Sequence, residues 1–311
     1  MTFDSPAVGT AGDRLYAGTT TVFVLIVPVL VVMLFVAVGV AGWPALSKFG
    51  FSFLTSSTWN PVRGDFGAAP AIFGTVVTSL IALAIATPLA LGVGIFLSEF
   101  SPAWLRQPVA FIVDLLAAIP SVIYGLWGIF VLLPFLREHV MVFLQDTLRL
   151  GDSPFFSGPA YGPSILAAGL ILAIMVLPYI SAVTREVLLA VPRSQREAAL
   201  ALGATRWEVI RDAVIPYARS GIAGGMMLGL GRALGETMAV TMLIGNRHEI
   251  SASLLAPGYT MASLIANEFS EATDDLHLSA LMAVGFVLLV VTFIVNVSAR
   301  MLVWHTARKA A

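Results

Sequence analysis

The sequence predicts an all-α, polytopic integral membrane protein with six transmembrane helices, and three observations carry that expectation. Of 311 residues, 58% are hydrophobic and only 11% are charged, where an ordinary soluble domain carries about 25% charged residues. Mean hydropathy is +0.92, more apolar surface than a soluble core can absorb. Several windows run past about eighteen residues almost without charge, each long enough to cross roughly 30 Å of hydrocarbon as a helix.

The first apolar stretch, 22–42, follows a tail of residues 1–21 in which Arg14 is the only basic residue. It is longer than a signal-peptide core and is read as a retained span, closed by Trp43 and Pro44. A polar segment with Lys48, Trp59, Pro61 and Arg63 should lie outside the bilayer. The second and third spans cover 71–97 and 109–133, separated by a short loop with Glu99, Pro102, Arg106 and Pro108. So tight a connection predicts antiparallel neighbours. A polar stretch, 137–162, precedes the fourth span at 163–189, and the fifth covers 214–244. An acidic loop with Glu249, Glu268, Glu271, Asp274 and Asp275 leads to the sixth, 278–303.

Six spans put both termini on one side. Alternating the loops assigns Arg14, Arg106, Arg185, Arg193, Arg196, Arg206, Arg211, Arg219, Arg300, Arg308 and Lys309 to that side, against Lys48, Arg63, Arg137, Arg149 and Arg247 on the other. The positive-inside rule then makes the termini and the mixed-charge block at 193–212 cytoplasmic. Arg232 is left inside the membrane.

Composition also excludes classes. With no cysteine there is neither a disulfide framework nor a thiolate metal site. The arginines are dispersed instead of forming the basic patch that nucleic acid requires. His139, His248, His277 and His305 have no metal-ligand spacing and read as solvated surface, so no metal site is expected. Asp114, near the start of the third span, is a weak candidate partner for an arginine. Thr75, Thr78, Ser79 and Thr241 are expected to bond back to helix carbonyls. The acidic run from Glu268 to Asp275 is expected to be a solvated external face, with contact to a substrate-delivering protein as the alternative.

In the cytoplasmic block a helical pattern stops at Gly203, suited to a helix end. A second short helix starts with Thr205 as N-cap and sets Trp207, Ile210 and Val214 on one face. The residues alone leave two readings open, an amphipathic interfacial segment or a compact knob for a partner. Glu197-Ala198-Ala199, three residues, Gly203, nine residues, then Ala213-Val214-Ile215-Pro216 resembles the EAA loop of ABC importer permeases. Ala213 and Ile215 stand where that consensus has Ile and Leu, and both departures stay apolar.

The resemblance implies a type I ABC importer transmembrane domain over 71–303. Its coupling loop at 193–216 would dock into a groove of a separate ATPase subunit through Glu197, Ala198, Ala199 and Gly203. No Gly-rich loop followed by Lys-Ser or Lys-Thr occurs in the chain. It is therefore expected not to be an enzyme in itself, with ATP and Mg bound by the partner ATPase and no cofactor of its own.

The fifth span carries Gly225, Gly229, Arg232 and Glu236 at offsets of four, three and four, one stripe of a continuous helix. Arg232 lies sixteen residues beyond Pro216, or about 24 Å along a regular helix. An intramembrane charge costs about 2.5 to 3.5 kcal/mol on insertion scales and is a functional candidate by default. The pair at i,i+4 either neutralises itself, or Arg232 offers its guanidinium to a passing oxyanion while Glu236 balances the empty site. Spacings of Gly221, Gly225 and Gly229, and of Gly231 and Gly235, would admit another helix, so the path is expected at an interface with a second subunit.

The run from Gly229 to Val240, GLGRALGETMAV, is similar to the signature of the PstC family, one of the two permease subunits of the phosphate importer. Residues 119–128, IPSVIYGLWG, resemble a second stretch of that family. Pro120 should kink or soften the third span there, and Gly125 and Gly128 should allow close packing. The resemblance implies that Arg232 and Glu236 are associated with phosphate passage. It implies partners too: a PstA-like permease, two PstB-like ATPase subunits and a PstS-like binding protein, at a bacterial inner membrane. Rival expectations are a permease for sulfate or molybdate, and a self-contained secondary transporter or channel in which Arg232 and Glu236 are a proton-coupled or gating pair. The last would leave the EAA-like loop without a role.

Overall fold

The computed structural model describes residues 11–159 and 161–308, and among them the chain is helical except for one small hairpin and its connections. Helix α1 (Ala11–Phe49) extends the expected first span at both ends. At about 1.5 Å per residue its 39 residues reach about 58 Å. Its large apolar side chains from Leu15 to Phe35 are exposed, a surface suited to hydrocarbon. Next come α2 (Ser52–Thr55) and two short strands absent from the all-α expectation, β1 (Trp59–Asn60) and β2 (Asp65–Phe66). They pair antiparallel with Trp59 opposite Phe66.

The chain continues through α3 (Ala69–Ile95), α4 (Ala103–Ala118), α5 (Ser121–Trp127) and α6 (Leu133–Phe135). Beyond these lie α7 (Ile165–Leu189), α8 (Arg193–Ala201), α9 (Arg206–Val209), α10 (Ile215–Leu234), α11 (Met238–Leu243), α12 (Met261–Glu268) and α13 (Asp275–Arg308). Wider, π-type turns prolong α3 to Phe100, carry the rod that starts at α5 to Thr147, and join α9 to α10.

Among the described residues, five segments are long and apolar enough to cross a membrane: Leu15–Phe49, Ala69–Phe100, Ser121–Thr147, Ile165–Leu189 and Asp275–Met301. The expected fifth span, 214–244, is not among them: its α10 has 20 residues, is rich in glycine and carries Arg219 and Arg232.

The third span differs from the expected 109–133. Ile119 and Pro120 are extended (ψ 127° and 139°), so α4 ends at Ala118 and a new rod starts at Ser121. It continues past Arg137, at the start of the polar stretch expected at 137–162. Pro120 has no N–H to give and restricts the residue before it, so the helix breaks outright instead of kinking. Nor are the second and third spans mainly neighbours. Helix α3 lies principally along α7.

Small residues explain that pairing. Ala82, Ala86 and Ala90, four apart on α3, are fully buried with Ala168, Leu172, Val176 and Ile180 of α7. Gly169 faces Ile81 and Gly94 faces Thr184, so the two helices run parallel at close range. On α10, Gly221 faces Val187, Gly225 faces Val183 and Gly229 faces Ile180. In lipid no hydrophobic force draws helices together, and such close backbone approach supplies the dispersion contact that does. These three glycines therefore pack within the chain and not against a second subunit. Gly125 and Gly128 likewise press α5 onto Ala239, Met242 and Leu243 of α11. Gly42 of α1 meets the backbone of α13 at Ala283, where Ser279 Oγ accepts from Ala45 N (3.1 Å) and donates to Ala41 O (3.0 Å).

Candidate functional site

The fifth span is not the continuous helix that a single stripe of Gly225, Gly229, Arg232 and Glu236 requires. Helix α10 stops at Leu234, Gly235 closes it (φ −96°, ψ 0°), and α11 restarts at Met238. The four side chains consequently part. Gly225 and Gly229 face α7, and the Glu236 side chain is 4% exposed, while Arg232 is 42% exposed. Arg232 Nη2 lies 3.5 Å from Glu236 Oε2. Glu236 Oε1 accepts from Ala239 N at 3.4 Å, satisfying one of the free N–H groups at the start of α11. Two roles meet in one carboxylate: it caps the restarted helix and pairs with the cation.

Arg232 opens onto a groove of about 520 Å³ lined also by Tyr179, Gly224, Met227, Gly231 and Asn296. Its guanidinium carbon sits 5.8 Å from the centre of the Tyr179 ring, within cation–π range. A Cβ added at Gly224 or Gly231 would meet no atom within 4 Å. One flank of α10 is thus closed against α7 and the other is open beside Arg232. An open guanidinium beside a half-neutralising carboxylate can receive an oxyanion without being fully desolvated first. Tyr179 and Asn296 escaped sequence reading because each lies alone in an apolar span. Tyr179 donates to Ala117 O at 3.3 Å and Tyr124 to Leu116 O at 2.8 Å, satisfying carbonyls that the Pro120 break leaves free.

The block at 193–212 folds as two short helices. Gly203 has φ +88° and its N–H bonds Leu200 O at 2.9 Å, which ends α8. Thr205 caps α9, accepting from Glu208 N, while Glu208 Oε2 accepts from Thr205 N (2.7 Å) and Oγ1 (2.8 Å). Those bonds hold the Glu208 carboxyl below its ordinary range. Glu197, Ala198 and Gly203 are exposed, whereas Ala199 is half-buried against Leu188, Val191 and Val209. The expected face of Trp207, Ile210 and Val214 splits, with Trp207 exposed and the other two buried. Leu202 stands 90% exposed and Leu200 half exposed, apolar tips that the motif did not single out.

Asp114 is not buried: half exposed, it lies 3.8 Å from Arg185 Nη1. Thr75, Thr78 and Thr241 bond back to Ala71, Gly74 and Thr237 carbonyls at 2.7 to 2.8 Å, but Ser79 Oγ has no partner among the described residues. Among the three described histidines, only His139 is the exposed surface residue expected. His277 is buried, stacked on Phe66 at 5.2 Å with Glu268 3.2 Å away, and His248 stacks on Trp59 at 5.6 Å. The hairpin supplies both aromatic rings, which is why no linear spacing announced the cluster. Glu268 is correspondingly drawn out of the acidic run, leaving Glu271, Asp274 and Asp275 exposed. Arg14, His305, Arg308 and Lys309 lie outside the residues whose side chains are described.

Residues 90–307 match the family described as "Binding-protein-dependent transport system inner membrane component". A chain from the inward-facing MetNI methionine ABC transporter shares the fold (TM-score 0.56, 18% identity, 76% of this chain and 94% of that one). The class is therefore the membrane domain of a type I ABC transporter. Among relatives called "Phosphate transport system permease protein PstC", that of Mesorhizobium japonicum is 50% identical over 302 residues (96% of this chain, 92% of the relative). That of Xylella fastidiosa strain 9a5c is 52% identical over 272 residues (86% and 83%), and that of Haemophilus influenzae 44% over 295 (94% and 93%). The chain belongs to the PstC family.

Proposed function

We propose that the chain is the permease subunit of an ATP-driven phosphate importer and that Arg232 and Glu236 line its substrate path. The carrying observation is the open guanidinium of Arg232 beside the buried Glu236 carboxylate, on the flank of α10 that its own chain leaves uncovered. Arginine's planar fork suits a phosphate group, and the pairing keeps the empty site near neutral. The family names of the relatives agree with this substrate. A PstA-like permease covers the open flank at Gly231 and Gly235 and completes the path.

Residues 193–216 dock the ATPase, with Glu197, Ala198 and Gly203 at the surface, Ala199 as support, and Leu202 as an apolar anchor. Two PstB-like subunits bind ATP and Mg, and a PstS-like protein delivers phosphate from outside. The permease unit covers 71–303, preceded by the first span at 22–42 and a cytoplasmic tail at 1–21. By the excess of Arg and Lys on one side, both termini face the cytoplasm of a bacterial inner membrane.

The test is binding-protein-dependent phosphate uptake into proteoliposomes holding the full complex, with ATP hydrolysis recorded in parallel. Arg232→Gln is expected to abolish uptake in a complex that still assembles and hydrolyses ATP, and Gly203→Asp to prevent ATPase attachment. Normal uptake by Arg232→Gln would make the charges a structural pair. Preferred uptake of sulfate or molybdate would change the substrate, and uptake without any ATPase would make the chain a secondary carrier.

A further inference from the structure

The strongest polar junction outside the Arg232 groove lies where three elements meet at the cytoplasmic end. Arg196, on α8, donates from Nη2 to Glu99 Oε1 at 2.8 Å and to Leu188 O at 2.8 Å, and from Nη1 to Val191 O. Glu99 belongs to the wide turn that ends α3, and Leu188 to the last turn of α7. One guanidinium thus ties the knob to the ends of both helices of the closely packed α3–α7 pair. The ion pair is sheltered, with side chains 21% and 14% exposed. Leu188 O lies in the last turn of α7, where Val191 N also reaches it at 3.3 Å, and a cation there also suits the negative end of the α7 dipole.

The knob also makes apolar contacts with the spans. Ala199 and Ala204 rest on the Leu188, Val191 and Val209 cluster, against which Leu91 and Ile95 of α3 also pack. Apolar contact is non-directional and tolerates sliding, whereas a three-point charge-assisted junction fixes both distance and angle. We infer that Arg196 is the positioning residue that transmits displacement of the α8–α9 knob to the α3–α7 pair. It sets how much transport each ATP hydrolysed produces. This rests on the reading that the knob docks an ATPase. Arginine is required because an ammonium has no planar fork to hold a carboxylate and two carbonyls together.

The experiment measures phosphate moved per ATP hydrolysed in proteoliposomes carrying the full complex, together with retention of the ATPase on affinity-purified permease. The variants are Arg196→Ala, Arg196→Lys, Glu99→Gln and the double Arg196→Ala with Glu99→Gln. The expected result is an ATPase that stays attached throughout and a ratio that falls about tenfold in Arg196→Ala, within the range of ordinary coupling between sites. Smaller falls are expected in Glu99→Gln and Arg196→Lys, and the double variant should be no worse than Arg196→Ala, because both remove one link. An unchanged ratio in Arg196→Ala, or independent effects that multiply in the double variant, would overturn the inference. Loss of the ATPase from both Arg196→Ala and Glu99→Gln would overturn it as well, making the pair part of the docking surface. If Gly203→Asp keeps its ATPase while the ratio still falls in Arg196→Ala, the assignment of Gly203 to docking fails and the junction stands.

Discussion

Two of the spanning segments are interrupted, and the interruptions are closed by opposite chemistry. At Ile119–Pro120 the chain leaves carbonyls free at the end of α4, and two neutral donors, the hydroxyls of Tyr124 and Tyr179, satisfy them. At Gly235–Thr237 the concern is free N–H groups at the start of α11, and the acceptor is the Glu236 carboxylate. A neutral closure needs nothing further. A charged closure in a low-dielectric setting needs a counter-ion, and Arg232 supplies it from the open side of α10. The difference teaches where chemistry can happen: only the second break presents a charge that an anion can compete for.

Removing the charged closure gives the largest expected effect. Glu236→Ala deletes both the cap of α11 and the partner of Arg232, and should lower stability by about 2 kcal/mol, read from unfolding of the purified permease in detergent. Glu236→Gln keeps an oxygen for Ala239 N and should cost about half as much. Equal losses in the two variants would mean that the cap does not hold this break.

The neutral break should respond less. Tyr124→Phe removes a 2.8 Å bond and should cost about 1 kcal/mol, with phosphate uptake retained. Tyr179→Phe should cost less, because its bond is 3.3 Å and its ring still faces Arg232. Loss of uptake in Tyr124→Phe at unchanged stability would show that the Pro120 break moves during transport and would erase the contrast between the two.

How legible these features were depends on whether their cause is local. The apolar runs and the Gly203–Thr205 corner follow from neighbouring residues, and both were read from the sequence. Pro120 was recognised as a softening residue. The run on both sides of it stays apolar, however, so composition could not tell a kinked span from a new one. Gly235 offered the same ambiguity within 214–244. Arg232 stood out because a lone charge in an apolar window is visible, whereas Arg196 was one of several loop arginines and its partner Glu99 lies far off in the chain. His248 and His277 were misread for that reason as well. Their aromatic partners come from the hairpin at 59–66, a long-range association with no periodic signature.

A third interruption, outside the spans, gives a calibration. Gly203 turns the chain at φ +88°, and a Cβ there would meet no atom within 4 Å. Gly203→Ala therefore isolates backbone strain, about 1 kcal/mol, measured by the same unfolding assay. A larger loss would mean that the corner carries packing as well as conformation.

The smallest expected effect lies at the hairpin, where closure is aromatic and involves no helix break. His248 is packed between Trp59 and Tyr259, whose ring centres are 5.6 and 4.5 Å away. Burial pushes its pKa below the ordinary histidine value, and the charge of Glu268 opposes that only in part. The folded chain thus prefers neutral His248. Above about pH 6.5 the ring is neutral in both folded and unfolded chains, and its packing contributes fully. As the pH falls through that value, the unfolded chain takes up a proton that the folded one resists, so stability is lost progressively down to the folded-state pKa. The unfolding midpoint should therefore drop between about pH 7.5 and pH 5.5 by more in the parent than in His248→Gln. Equal drops would place the pH response elsewhere. A smaller drop in the parent would mean that Glu268 outweighs burial and that the hairpin's cluster, like the second break, is held by charge.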